Sequence, residues 1–225
     1  MKKTLLVLAA LAIAASSYAD LLASWSFTSG DLSADNADKA APTMGTADNI
    51  DKITVGDLER HEMTKNGGSG NILTAQGWAN EGAYIGFTVT VQSGWEITGA
   101  QMAAEGKLNA ANSGPAKLDW QVDGVTKDTW TPAAGSASTG SAPAAANLGD
   151  LDASKTHNIQ LVYQAGSGQA SGATGNPASN GTGRIGGDLQ FLGKVQEATA
   201  VPEPATMSLL GIGALAMVLR RKLRK

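Results

Sequence analysis

The chain has 225 residues, with 17 Lys and Arg against 20 Asp and Glu, a formal charge of −3, and no cysteine. Without sulfur it can form no disulfide, thiol nucleophile or Cys-based metal site, so any folded region must be held by its own core. Over residues 20–200 the balance is 10 Lys and Arg to 19 Asp and Glu, a net −9. No basic stripe is left to displace counterions, which excludes nucleic acid as a partner.

The first segment, MKKTLLVLAALAIAASSYAD, has Lys2 and Lys3, then an apolar run over residues 5–15. Ser17 and Ala19 occupy the −3 and −1 positions of a small-residue cleavage site. This layout predicts a secretory signal peptide over residues 1–19, taken by the Sec translocon and cut by signal peptidase between Ala19 and Asp20.

Residues 21–27, LLASWSF, read as a first strand. A polar stretch follows with two echoes, ADNADK at 34–39 and ADNIDK at 47–52. Their Asp35, Asp38, Asp48 and Asp51 carry the oxygen type that Ca²⁺ takes. EF-hand spacing is absent and Asp/Asn clusters are ordinary loop formers, so calcium stays an option and no metal ligand set is assigned. DKITVGDLE reads as a second strand and NGGSG at 66–70 as a turn, followed by the extended NILTAQGW.

The clearest period-two pattern is GAYIGFTVTV, with Tyr84, Gly86, Thr88 and Thr90 on one face and Ile85, Phe87, Val89 and Val91 on the other. Ser93 and Gly94 break it before WEITGAQMAAEG resumes an extended course. In KLDWQVDGVTKDTW, Asp123-Gly124 is the dipeptide that favours a type I′ hairpin turn. Residues 132–147 are rich in Ala, Ser, Gly and Pro and read as a mobile loop. HNIQLVYQ alternates again, a second glycine-rich loop covers 165–183, and RIGGDLQFLGKV reads as one closing strand. Eight or nine strands without a clear helix predict an all-β body, an antiparallel β-sandwich of the jelly-roll kind.

Catalytic signatures are missing. HEMTK at 61–65 begins like a zinc-protease helix, but Lys65 stands where the second histidine belongs. His157 is far away in sequence. No Gly-x-Ser-x-Gly occurs in a strand–turn–helix context, and GTGRIG at 181–186 lacks the helix of a dinucleotide site and reads as a loop. Carboxylates abound, but nothing in the sequence pairs them for glycoside hydrolysis. No catalytic residue is assigned. The five tryptophans divide by context: Trp25, Trp95 and Trp120 suit the core, whereas Trp78 and Trp130 adjoin loops and are the candidate glycan contacts.

The last segment is VPEPATMSLLGIGALAMVLRRKLRK. Residues 205–219 carry no charge and make a helix of roughly 22 Å, short against a hydrocarbon core of about 30 Å. Arg220 and Arg221 can snorkel outward to extend it. The cluster Arg220, Arg221, Lys222, Arg224 and Lys225 is predicted to stay cytoplasmic. Pro202 and Pro204 force an extended strip outside the bilayer, a conformation that proteases require.

Pro202, Glu203 and Pro204, then a short apolar helix with Gly211 and Gly213, then the terminal basic cluster, resemble the PEP-CTERM sorting signal. That resemblance implies export by a Gram-negative bacterium, often a maker of extracellular polysaccharide, and processing at the Pro-Glu-Pro site by a membrane exosortase. The order of strand motifs from Ser24-Trp25 to the Asp-Gly hairpin is also similar to the β-sandwich modules of exported PEP-CTERM proteins. The expected organisation is a signal peptide at 1–19, a β-sandwich at 20–196 and a sorting segment at 197–225 with a hydrophobic helix. The expected role is structural or adhesive, not enzymatic, at the cell surface or in the extracellular matrix. A carbohydrate-binding module on extracellular polysaccharide is the alternative, and a secreted glycan-active enzyme the second.

Overall fold

The computed structural model describes residues 19–27, 39–45, 49, 51–64, 72–135 and 140–198. The signal segment before Ala19, Asp35, Asp38, Asp48, Lys65, the turn at 66–70, and everything from residue 199 onward lie outside the described residues. This includes Pro202, Glu203, Pro204 and the basic cluster. Among the described residues no helix is long and apolar enough to cross a membrane.

In chain order the strands are β1 (Asp20–Trp25), β2 (Lys39–Ala40), β3 (Thr43–Met44), β4 (Ile53–Val55), β5 (Leu58–His61) and β6 (Ile72–Ala75). Next come β7 (Tyr84–Val91), β8 (Trp95–Ala104), β9 (Leu108–Ala110), β10 (Leu118–Val122) and β11 (Val125–Trp130). The last are β12 (Ala133–Ala134), β13 (Ala146–Leu151), β14 (Lys155–Tyr163), β15 (Gly183–Gly186) and β16 (Leu189–Glu197).

Four antiparallel pairs are nested along the chain: β1 with β16, β7 with β14, β8 with β13, and β10 with β11. Such a ribbon leaves both edges unpaired until it rolls up, and here β16 joins β8 while β14 joins β10. The result is one sheet in the order β13-β8-β16-β1-β3 and another in the order β11-β10-β14-β7-β5-β2, with β4 also on β7. This is jelly-roll connectivity. A third, four-stranded sheet, β12-β9-β15-β6, flanks them.

Alternation on β7 decides what goes between the sheets. Ile85, Phe87, Val89 and Val91 are buried, and Thr88 is exposed. The Phe87 ring bridges the two sheets, 4.5 Å from Trp25 on β1 and 5.5 Å from Phe191 on β16. These tilted and edge-on contacts are favoured geometries for aromatic pairs. The indole N–H groups of Trp25 and Trp120 are buried there without a hydrogen-bond partner.

The Asp123-Gly124 turn forms as predicted, with φ of 52° and 78° at its two positions. The Asp123 carboxylate also ties the hairpin to β14: Oδ1 accepts the Asn158 N–H at 2.8 Å and Oδ2 lies 2.8 Å from His157 Nδ1. Burial acts to raise this carboxyl, but the Asn158 N–H, the His157 ring and the Lys155 charge outweigh it and hold it below the ordinary aspartate value. A lowered carboxyl contributes stability above its unfolded value, about pH 3.9, which is lost as pH falls through the lower folded value. Asp123→Asn should therefore lower the urea midpoint more at pH 7 than at pH 3. Because Asp123 is half-exposed, solvent screening keeps the effect below about 1 kcal/mol. An equal loss at both pH values would remove the carboxylate from the account.

Three segments depart from the sequence reading. The expected second strand, DKITVGDLE, is split at Gly56 and Asp57 into β4 and β5, both of which pair with β7. The expected single closing strand is two, β15 and β16, in different sheets, because Gly187 turns the corner with a φ of 73°. It passes so close to Gly106 that a Cβ would lie 2.6 Å from the Gly106 nitrogen. The run at 181–186 is likewise not all loop, since its last four residues are β15. Residues 132–147 likewise contain β12 and the start of β13, with 136–139 outside the described residues.

Candidate functional site

The outward face of β5, β7, β14 and β10 carries the residues that alternation leaves out of the core. Register places Glu59 beside Gly86, Gly86 beside Gln160, and Gln160 beside Gln121. One row further along, His61 pairs with Tyr84. Their rings stack at 4.9 Å and 22°, and the Tyr84 hydroxyl donates to Glu59 Oε1 at 3.2 Å. Gly86 carries no side chain and is buried beneath the Tyr84 ring, whose Cδ2 would lie 3.1 Å from a Cβ at that position.

A groove of about 620 Å³ lies on this face, lined by His61, Tyr84, Gln121, Gln160, Val162 and Tyr163. The turn carrying Ala79 and Asn80 and the loop carrying Ala165 and Asn176 complete it. A second hollow of about 260 Å³ shares Tyr84 and Gln160 and continues past Thr88 and Asn158 to Asp57 and Glu59. The walls are fixed by hydrogen bonds. Asn80 Nδ2 donates to the Glu62 carbonyl at 2.8 Å. The 164–182 loop is held by Gly168 N–H to Tyr163 Oη at 3.2 Å and Ala170 N–H to the Gly114 carbonyl at 2.9 Å.

Trp78 and Trp130, the predicted glycan contacts, are corrected by the structure. Each is only 3% exposed, so neither has a free ring face on which a sugar could stack. Trp78 lies against Gly183, where a Cβ would come within 2.8 Å of its Nε1, and donates to the Ala75 carbonyl at 2.9 Å. It reaches the groove only as part of its wall. Trp130 donates to the Ala144 carbonyl at 3.0 Å and packs edge-on against Trp120 at 5.2 Å. Trp25 and Trp120 are core residues as expected, while Trp95 is partly buried with Lys52 Nζ 4.5 Å above its ring.

His61, assigned no role from sequence, is exposed and belongs to the groove, and Tyr84 and Gln160 join it. Their outward placement was legible in the period-two alternation. Their neighbours across strands were not. Among the described residues no group of three or more His, Asp or Glu could hold a metal ion, and Asp51 is an exposed turn residue.

The chain's exit lies at the other pole. The Ala198 N–H donates to the Gly94 carbonyl at 2.9 Å, in the turn that follows Val91. Tyr84 begins the same strand β7, roughly 23 Å away at about 3.3 Å per residue. Asp20, the first residue of β1, pairs with Gly193, and Ala19 just before it is half-buried.

A search of curated proteins found no match. Among solved structures, a carbohydrate-binding module CBM36 in complex with calcium and xylotriose is 17% identical, with a TM-score of 0.31, covering 62% of this chain and 98% of that one. The CBM36-1 domain of a multidomain xylanase from the hindgut metagenome of Trinervitermes trinervoides is 19% identical, with a TM-score of 0.30, covering 66% of this chain and 99% of that one. Superpositions this loose transfer nothing about ligands. Residues 200–222 match the PEP-CTERM protein-sorting motif. The β-sandwich is followed within a few residues by a segment that matches the PEP-CTERM protein-sorting motif, which supports export and sorting of this chain.

Proposed function

We propose that this is a non-catalytic surface or matrix protein that adheres to extracellular polysaccharide through the groove on β5, β7, β14 and β10. In this reading, signal peptidase cuts at Ala19–Asp20 after Sec export. The C-terminal apolar segment and basic cluster hold the precursor in the membrane, and an exosortase-type enzyme acts at Pro202–Pro204. The observation that carries the adhesive role is the groove itself. It joins an aromatic pair to side-chain amides, which can match the hydroxyls of a sugar with donors and acceptors. It opens at the pole opposite Ala198, so a body tethered by its sorting segment would present it away from the membrane.

The test is a glycan-array screen followed by titration of the best polysaccharide, with and without calcium. Gln160→Ala and Tyr84→Ala should each weaken binding about tenfold, the cost of about 1.4 kcal/mol, without shifting the unfolding midpoint by more than the stacked pair accounts for. Absence of binding to every polysaccharide would leave a purely structural role.

A further inference from the structure

The larger hollow draws side-chain amides from separate parts of the chain: Asn80 from a turn, Gln121 from β10, Gln160 from β14 and Asn176 from the 164–182 loop. No Asp, Glu, Lys or Arg is among its described lining residues. The carboxylates nearby are placed outside it. Asp119, two positions from Gln121, is 7% exposed and accepts from Thr129 Oγ1 at 2.7 Å and Gln164 Nε2 at 3.1 Å. Asp57 and Glu59 line the adjoining hollow, where Lys39 on β2 stands in register with Glu59. Glu62 lies outside the lining, 4.0 Å from His61 Nε2, and Glu81 is exposed next to Asn80. Asn80 spends one Nδ2 proton on the Glu62 carbonyl, while the side chains of Gln121, Gln160 and Asn176 bond to no described residue. The Tyr84 and Tyr163 hydroxyls are engaged with Glu59 Oε1 and the Gly168 N–H, so a ligand meets those two residues mainly as rings.

Resting on the glycan reading above, we infer that the groove selects uncharged polysaccharide and rejects polymers of either charge. Each amide both donates and accepts, and so does each sugar hydroxyl, so a neutral chain can pair with the lining in full. A carboxylate only accepts and an ammonium group only donates. Either would face amide atoms of the wrong kind beside those it can use. A charge drawn out of water with no counter-charge to meet it also costs far more than a hydroxyl does. Specificity of this sort comes from what the site leaves unpaired in the wrong ligand. Overall charge would act differently. The net −9 over residues 20–200 repels a polyanion but attracts a polycation. Rejection of both signs is therefore the mark of the lining itself.

The experiment is calorimetric titration of the full chain in a polyoxyethylene detergent, whose head group is not a sugar. The neutral probes are hexamers of glucose, mannose, xylose and N-acetylglucosamine, and the charged ones are hexamers of glucosamine and galacturonic acid. Titrations at about pH 6 are run in ~150 mM and ~1 M NaCl, between which the Debye length falls from about 8 Å to about 3 Å. At least one neutral hexamer should bind about tenfold more tightly than both charged hexamers. That gap should persist at the higher salt, because desolvation sets it, whereas repulsion from the acidic body would be screened. Asn176→Asp should narrow the gap for the glucosamine hexamer about fivefold, and Asn176→Lys should do so for galacturonate, the scale of one well-placed exposed ion pair. Asn176 is exposed in its loop, and an unchanged unfolding midpoint will confirm that the fold is kept. A charged hexamer binding as tightly as the best neutral one, or a preference untouched by both Asn176 variants, would overturn the neutral assignment while leaving glycan adhesion in place. Failure of every hexamer to bind would overturn the glycan reading and this assignment together.

Discussion

Phe87→Ala is expected to destabilise the sandwich by about 3–5 kcal/mol, the usual cost of removing a buried phenylalanine. The ring sits at 4% exposure with Trp25 on one side and Phe191 on the other, so its loss opens a cavity between the sheets. The tightly packed Trp25 and Phe191 rings cannot both collapse into that space. For a domain stabilised by roughly 5–15 kcal/mol, and lacking any disulfide, this is a large share. Urea unfolding followed by tryptophan fluorescence will measure it, since Trp25 is the immediate neighbour. Thr88→Ala, the next residue on the opposite face of β7, should stay within about 0.5 kcal/mol. A Phe87→Ala cost below 1 kcal/mol would mean that the two sheets are not packed through this ring.

Replacing Pro202 and Pro204 together by alanine should stop maturation and leave a full-length precursor in the membrane fraction. Proline is about 3 kcal/mol less favourable than alanine inside a helix, and both prolines hold their preceding residues extended. On the sequence expectation of a helix over residues 205–219, alanines would let it extend back towards residue 200 and remove the extended strip that a protease needs. Pulse-chase labelling with fractionation reads the outcome directly, and nearly all of the chain should remain unprocessed. Normal conversion of the double variant would place the processing site elsewhere and separate the sorting motif from the cut. The short stretch between Glu197, the end of β16, and Pro202 gives this test a geometric side. About five residues reach at most ~17 Å, so an enzyme acting at the Pro-Glu-Pro site would have to work close against the pole of the sandwich that carries Gly94.

The two experiments touch different levels of organisation. The first depends on packing across the sandwich, the second on local backbone restriction in a segment that follows it. The groove proposed for glycan binding depends directly on neither, because its lining is drawn from the outward positions of four strands and from the adjoining loops. Core variants should therefore abolish binding only by unfolding the body, while groove variants should abolish it in a body that unfolds normally.

Much of this was legible in the residues alone, and the reason is that the signals are local. Alternation over GAYIGFTVTV determined which side of β7 is core, because successive strand side chains must point to opposite faces. Asp123-Gly124 determined its turn, because few dipeptides accept two positive φ angles. The Pro-Glu-Pro strip, apolar run and basic cluster are ordered along the chain and need no folding to be recognised. The tertiary structure alone decided what stands beside what. Only pairing of β5 with β7 brings His61 onto Tyr84, and only pairing of β7, β14 and β10 aligns Gly86, Gln160 and Gln121. Trp78 and Trp130 looked exposed because they adjoin loops, yet Gly183 and the backbone carbonyls of Ala75 and Ala144 draw both rings inward. Those contacts join residues up to about a hundred positions apart, and no short-range pattern encodes register between strands that distant; it is set when the nested ribbon closes and each apolar face finds its partner.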